Sequence, residues 1–248
     1  MSLPDWLEQL DGAIPHVRGE HFTRFLPPAE GGRPSAVLVL FGEGPDGPDV
    51  LLLQRAATLR KHAGQPAFPG GQADPGDDYP IGTALREAEE EAGIEPEGVR
   101  VLATLQELFL GPSDNLVVPV VAWWDDPRDV TVGDPREVAR VARVPLAELI
   151  DPANRFRVKH SSGYVGPAFA VADMLVWGFT AGLLEAILEA AGLAEPWDER
   201  DVRPLPASAI RPYRLPGSVD AGGEEDDAAP TVADPAPDGP PTRTVPPR

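Results

Sequence analysis

No cysteine occurs in the 248 residues. That absence removes disulfides, thiolate zinc sites and cysteine nucleophiles together, and it agrees with a reducing, cytoplasmic setting. Basic charge is scarce as well: 21 lysines and arginines stand against 40 aspartates and glutamates, for a formal net charge of -19. Neither a general nucleic-acid partner nor an anionic membrane is expected, because both need a basic surface to displace counterions or meet headgroups. An anionic small substrate would need a metal or a local basic patch. Long uncharged hydrophobic runs are also missing. The longest apolar stretch, Ala168 to Ala194, is broken by Asp173, Glu185 and Glu189, and reads as an amphipathic helix rather than a membrane span. Met1 to Asp11 carries acids and no basic run ahead of an apolar core, unlike a secretory signal.

What is present suggests one principal domain. A lead-in with a helix over 1–34 precedes a body over 35–215. After Leu215 the composition turns to Pro, Asp, Gly, Ala and Thr, with an acidic run from Glu224 to Asp227. Such a segment buries too little apolar surface to offset its ordering entropy, so 216–248 is expected to be a disordered acidic, proline-rich tail. In the body, Ser35–Phe41 and Val50–Gln54 read as strands joined through the turn-rich Gly42–Pro48, and Val99–Leu108 with Leu116–Trp124 as a second pair. Val138–Val144 reads as a further strand. Helices are expected at Leu3–Leu10, Pro80–Ala92, Leu146–Ile150 and Val171–Ala191. The mixture lacks the regular alternation of a doubly wound sheet.

The helix at Pro80–Ala92 carries the chemical argument. Proline suits its first turn, with Asp78 or Tyr79 near the N-cap, and Gly93 can take the left-handed conformation that ends it. At about 100° per residue, Ile81, Leu85, Ala88 and Ala92 form one apolar stripe, while Glu87, Glu90 and Glu91 converge on a separate exposed patch. An arbitrary charged helix face is ordinarily just solvated. Here, however, like charges repel at i, i+3 and i+4, and Glu90 and Glu91 stand where the helix dipole disfavours anions. Hard divalent cations would reverse both penalties. Phe68-Pro69-Gly70-Gly71 and the acidic loop Asp74–Asp78 precede this helix, and paired glycines let backbone approach a ligand closely.

Arg86-Glu87-Ala88-Glu89-Glu90-Glu91-Ala92-Gly93-Ile94 resembles the second half of the Nudix hydrolase signature, R-E-U-x-E-E-x-G-U, where U is aliphatic. The first half departs from the family's G-x5-E-x7-R. That pattern would place glycine at Gln72 and glutamate at Asp78, whereas the glycine is Gly71 and the acid an aspartate, so the loop is one residue longer. The longer loop is similar to that of coenzyme A pyrophosphatases, whose box follows L-L-T-x-R-[SA]-x3-R-x3-G-x3-F-P-G-G. Leu51-Leu52-Leu53-Gln54-Arg55-Ala56, then Arg60, Gly64 and Phe68-Pro69-Gly70-Gly71, match each spacing, with Leu53 at the threonine. Val176-Trp177-Gly178-Phe179-Thr180-Ala181 is also similar to a helix start of that subgroup, and the resemblance spans roughly Ser35–Leu188.

The resemblance implies an α/β fold, the Nudix α/β/α sandwich with a mixed central sheet. It also implies hydrolysis of coenzyme A to 3′,5′-ADP and 4′-phosphopantetheine with Mg²⁺ or Mn²⁺. Glu87 and Glu91 are carried over as metal ligands, and Glu90 as a third ligand, the general base or the ion-pair partner of Arg86. Arg86 is expected to orient the cluster. Glu87 is a further base candidate, as is Glu107, expected in the strand after the box, although a strand glutamate is often simply exposed. Asp77 and Asp78 read as loop and cap residues.

Arg55, Arg60, Lys61 and His62 form a basic cluster suited to a 3′-phosphate or diphosphate, because arginine can hold phosphate in bidentate fashion. Arg55 could equally pair with nearby acids. With Gly70 and Gly71, Arg55 and Arg60 are the substrate-binding candidates. Lys159 and His160 precede the turn Ser161–Gly163 and have a weaker claim, while Trp177 and Phe179 read as core. A homodimer is compatible with this reading. The alternatives are a Nudix hydrolase for another nucleoside diphosphate derivative, such as ADP-ribose or an oxidised nucleotide, and a non-catalytic Nudix-like binding domain. The upstream pattern favours coenzyme A, and the retained glutamates favour catalysis.

Overall fold

From Ser35 to Gly42 the chain is buried at every position except Val37, which is half-buried. A strand reads this way when both its faces are covered. The computed structural model describes residues 3–13, 31–59, 62–110 and 114–209. Helix α1 (Asp5–Ala13) precedes a hairpin of β1 (Arg33–Gly44) and β2 (Gly47–Arg55). Short strands β3 (Pro66–Ala67) and β4 (Gly70–Gln72) lead into α2 (Ile81–Ala92). Next come β5 (Val99–Thr104), β6 (Leu108–Leu110), β7 (Asn115–Trp124), β8 (Val138–Pro145) and α3 (Leu146–Ile150). The order ends with β9 (Arg155–Lys159), β10 (Val165–Val171), β11 (Met174–Trp177), α4 (Gly178–Ala190) and β12 (Val202–Pro204).

Among the described residues, eight strands form one sheet along β3-β2-β1-β7-β5, with β4 on β1, β6 on β7 and β8 on β2. β1 and β7 run parallel from Arg33↔Asn115 to Gly42↔Trp124, whereas β1 and β2 pair antiparallel. The sheet is therefore mixed. A second sheet is ordered β11-β10-β9-β12.

Alternate residues of β1 serve two cores. Leu38 and Leu40 pack with Ala84, Ala88 and Ala92 of α2, whose partly buried Ile81 and Leu85 complete the expected stripe. On the opposite face Val39 and Phe41 join Leu7 and Leu10 of α1, Leu149 of α3, and Leu183, Leu184 and Ile187 of α4. Helices thus cover both faces of the first sheet, giving an α/β/α sandwich. Truncating a residue such as Leu40 would cost about 2–5 kcal/mol in lost burial and cavity.

Several local expectations are corrected. The first helix runs Asp5–Ala13 rather than Leu3–Leu10. Pro80 is the N-cap of α2 rather than a residue of its first turn, and Asp78 contributes a backbone carbonyl to Gly82 N–H instead of a side-chain cap. Gly93 does end α2 in the left-handed region, φ 69°. The strand expected through Leu108 stops at Thr104, so Glu107 lies in the connection before β6. The helix expected from Val171 begins at Gly178, because the preceding apolar run folds as the β10–β11 hairpin. No helix among the described residues is long and apolar enough to cross a membrane. The tail, 216–248, lies outside the described residues, as do Arg60 and Lys61.

Candidate metal centre and active site

Gly70 and Gly71 let β4 thread between β1 and α2. A Cβ at Gly70 would meet the Ala36 carbonyl at 2.3 Å, and one at Gly71 would meet Glu87 Oε1 at 2.3 Å. Gly70 also needs φ 158°, a conformation that disfavours a side chain. This close approach lets Gly70 N–H donate to Glu91 Oε2 at 2.9 Å. Both glycines therefore lie against the acids of α2.

Those acids are graded in burial rather than equally exposed. Glu91 is only 4% exposed, and burial pushes its pKa up to about 7 against the opposing pull of the Gly70 amide and Arg55. Glu87 is also raised, first by burial, with Glu90 and Glu137 adding repulsion and Arg86 opposing. Glu90 is exposed and accepts from Arg86 Nη1 at 3.1 Å, which bears out the i, i+4 pair. One correction follows for the patch, since Glu91 is part of the interior.

Arg86 organises the cluster. Its guanidinium reaches Glu87 Oε1 at 3.1 Å, the Gln72 carbonyl at 3.1 Å and Asp77 Oδ2 at 3.1 Å, in addition to Glu90. Asp77 in turn accepts from Thr83 Oγ1 at 2.9 Å and from Asp74 N–H at 3.0 Å. These bonds, Arg86 first, hold the Asp77 carboxyl down at about 2. Arg86 thus links Glu87 and Glu90 of α2 to the preceding loop, and Asp77 is the loop residue expected.

A cleft of about 300 Å³ opens beside α2, lined by Glu87, Glu90, Glu91, Gly133, Asp134 and Glu137. Glu137, at the end of the turn before β8, was not a sequence candidate. Nothing local marks it. It arrives because β8 pairs with β2, setting Val138 opposite Arg55, while Ala56 N–H donates to the Glu137 carbonyl at 2.7 Å. Asp134 is committed to Arg136, which holds its pKa down at about 2. Glu107 does not line the cleft. It stands beside Tyr79, whose pKa is raised first by burial and then by this carboxylate.

The remaining candidates divide. Arg55 Nη1 stands 3.8 Å from Glu91 Oε1, the acid-pairing alternative, and its buried Nε has no hydrogen-bond partner among the described residues. His62 is exposed on the loop after β2. Lys159 and His160 stay with the second sheet, where His160 Nδ1 meets Ser162 Oγ at 2.7 Å and the ring stacks on Trp177. Trp177 and Phe179 are partly buried in core clusters, as expected.

Does this donor set suit a divalent cation? Several carboxylates share one cleft, two of them made costly to ionise by burial and mutual repulsion, and a hard cation removes both costs. Glu87, Glu90, Glu91 and Glu137 fit that chemistry. Among the described residues no three such groups already stand together at ligating distance, so the fit is one of donor type and location.

Comparisons with known proteins agree with the geometry. The family model described as "NUDIX domain" matches residues 32–164. A protein of Photorhabdus laumondii named "Uncharacterized Nudix hydrolase NudL" is 38% identical over 146 residues, covering 57% of this chain and 76% of its own. One of the same name from Citrobacter koseri is 35% identical over 196 residues, covering 75% and 93%. Among solved structures, a Nudix hydrolase from M. smegmatis, RenU, has a TM-score of 0.47 at 22% identity, covering 68% of this chain and 92% of that one. With more than half its length matched by the family model and the whole R-E-x-x-E-E-x-G-x segment folded as one acid-bearing helix and cap, the chain belongs to the Nudix hydrolase family.

Proposed function

We propose that this Nudix hydrolase splits the diphosphate bond of coenzyme A or its derivatives into 3′,5′-ADP and 4′-phosphopantetheine, or its acyl form. The observation that carries the reading is the meeting of two sequence patterns on one carboxylate. Arg55 and Gly70 belong to the pattern similar to coenzyme A pyrophosphatases, and both reach Glu91 of the box, Arg55 through an ion pair and Gly70 through its amide. The upstream pattern is thereby built into the acid cluster rather than set apart from it.

Mg²⁺ or Mn²⁺ would be held by Glu87 and Glu91, with Glu90 as a third donor at the rim of the same cleft. Such ions lower the pKa of a bound water and neutralise charge on phosphoryl oxygens. The chain's own residues do the rest. Arg86 fixes Glu87 and Glu90 relative to the loop, and the Gly70 amide fixes Glu91. Water adds to one phosphorus, the bond from that phosphorus to the bridging oxygen breaks, and the water's proton passes to a carboxylate. Glu137 is the acceptor this reading favours, because no cation pairs with it among the described residues, whereas Glu90 is held by Arg86.

The test is incubation of the purified protein with coenzyme A and Mg²⁺ or Mn²⁺, with the products separated. Release of 3′,5′-ADP and phosphopantetheine is expected. Rapid turnover of ADP-ribose with no cleavage of coenzyme A or its thioesters would overturn the substrate assignment.

A further inference from the structure

The last turn of α2 ends in backbone carbonyls that the helix itself cannot bond. That of Glu89 is met at the cap, where Gly93 N–H donates to it at 2.9 Å. Two more are met from a distant segment, the loop between β7 and β8. Thr131 N–H donates to the Ala92 carbonyl at 3.2 Å, and Gly133 N–H donates to the Glu91 carbonyl at 3.1 Å. The loop is therefore seated on the backbone of the acid-bearing turn.

Glycine is what lets it sit so close. A Cβ at Gly133 would stand 1.7 Å from the Glu90 carbonyl oxygen and 2.7 Å from the carbonyl carbon. Both are backbone atoms of a helix whose Ala88 and Ala92 are packed in the core, so the loop rather than α2 would have to give way.

The same loop delivers Glu137. The Asp134 carbonyl accepts from the amides of Glu137 and Val138 at 3.0 and 2.9 Å, and the Glu137 carbonyl accepts from Ala56 N–H at 2.7 Å. The five residues from Gly133 to Glu137 are thus tied to α2 at one end and to the residue after β2 at the other. With no ion pair of its own among the described residues, the Glu137 carboxylate goes where this backbone carries it. It lines the cleft with Glu87, Glu90 and Glu91, near enough to repel Glu87 and Glu91.

We propose that Gly133 is a positioning residue: seated on the carbonyls of Glu90 and Glu91, it fixes how far the Glu137 carboxylate reaches across the cleft towards the attacking water. The role rests on the diphosphate-hydrolase reading above, with Glu137 as the proton acceptor. The end of α2 then sets both halves of the site, its own acids directly and Glu137 through the loop.

The experiment uses the full-length chain with Gly133→Ala, Glu137→Gln, Glu137→Asp and the double variant Gly133→Ala/Glu137→Gln. Steady-state kinetics with Mg²⁺ on coenzyme A and on ADP-ribose are read beside Mn²⁺ binding by titration calorimetry. Gly133→Ala should lower kcat at least about tenfold while KM and Mn²⁺ affinity stay within about twofold of wild type, because a displaced acceptor spoils orientation and not binding. The double variant should be no slower than Glu137→Gln alone, since no acceptor is left to misplace. Glu137→Asp keeps the loop backbone and shortens the acid by one methylene. A seated loop cannot advance to compensate, so kcat should again fall at least about tenfold.

Wild-type kcat in Gly133→Ala or in Glu137→Asp would overturn the proposal, and so would losses that multiply in the double variant. A Mn²⁺ affinity that falls with kcat would also overturn it, by putting the effect on Glu91 rather than Glu137. Should Gly133→Ala fail to fold, Glu137→Asp decides alone. An active wild type beside an unaffected Glu137→Gln removes the acceptor and the positioning role while diphosphate hydrolysis stands. A wild type that cleaves neither diphosphate removes the functional reading itself and this role with it.

Discussion

The Gly70 amide points at the carboxylate of Glu91, 2.9 Å from Oε2, across 21 residues of chain. That bond requires β4 to pass where no side chain fits, and the two adjacent glycines forbid one for different reasons. At Gly70 the obstacle is backbone, the Ala36 carbonyl and Val37 Cα. At Gly71 it is the far end of the Glu87 side chain. Gly70→Ala should therefore destabilise the fold, by about 1–3 kcal/mol for the backbone strain alone. Gly71→Ala should leave the melting temperature nearly unchanged and displace Glu87, with a marked loss of kcat. Thermal melts and kinetics on the pair check the contrast, which equal melting temperatures would contradict.

Glu91 is an interior carboxylate whose charged form is penalised by burial. Glu91→Gln keeps its shape and can still accept from Gly70 while removing the charge. In metal-free protein the variant should melt no lower than wild type, since burial penalises the charged form by more than Arg55, 3.8 Å away, and the Gly70 amide offset. Metal-dependent turnover should fall by at least about a hundredfold, the scale of losing one electrostatic contact to the transition state. Wild-type-like turnover would remove Glu91 from the metal centre.

Glu137 and Glu107 compete for the role of proton acceptor. Only Glu137 lines the cleft, whereas Glu107 stands beside Tyr79. Glu137→Gln should lower kcat by about 10²–10⁴-fold, the usual contribution of a general base. Glu107→Gln should change kcat little. The opposite ranking in a single-turnover assay would return the assignment to Glu107.

How far these features were legible depended on how local their causes are. The stripe of α2 follows from helical period and its Gly93 cap from glycine's tolerance of the left-handed region, and both stand as expected, whereas the acid patch stands only in part because Glu91 is buried. The start of α4 does not. Val171 to Trp177 is apolar enough for either element, and the hairpin turn there puts Ala172 and Asp173 both in the left-handed region, φ 47° and 56°. Alanine does not signal such a turn. It is held from outside, by Glu148 Oε2 accepting from Ala172 N–H at 3.2 Å and Arg140 donating to the Ala172 carbonyl. Glu137 was invisible for the same reason: strand pairing between β8 and β2 brings it to the cleft.

Asp77 gives a pH prediction with a definite sign. Its folded pKa, lowered chiefly by Arg86 from 3.8 to about 2, means that its contribution to stability is present above 3.8 and is lost as pH falls towards 2. Asp77→Asn should melt lower than wild type at pH 7, and the gap should close between pH 3.8 and 2. A gap independent of pH would assign the effect to packing rather than to the ion pair. Activity should fall with it, because Arg86 would lose the partner that sets its position between Glu87 and Glu90.

Deleting the chain after Leu215 tests where the catalytic unit ends. The segment removed carries Glu224 to Asp227 and almost no large apolar residues, and the hydrogen bond from Gln65 to Ala209 lies before the cut. The truncated protein should keep kcat and KM within about twofold of wild type, as expected for a change that removes no contact made in the transition state. Kinetics on coenzyme A at matched concentrations provide the check. A rise in KM would mean that residues beyond Leu215 contribute to substrate binding. A fall in KM would mean instead that the tail's negative charge opposes the anionic substrate, and raising the ionic strength should then lower the full-length protein's KM in the same direction.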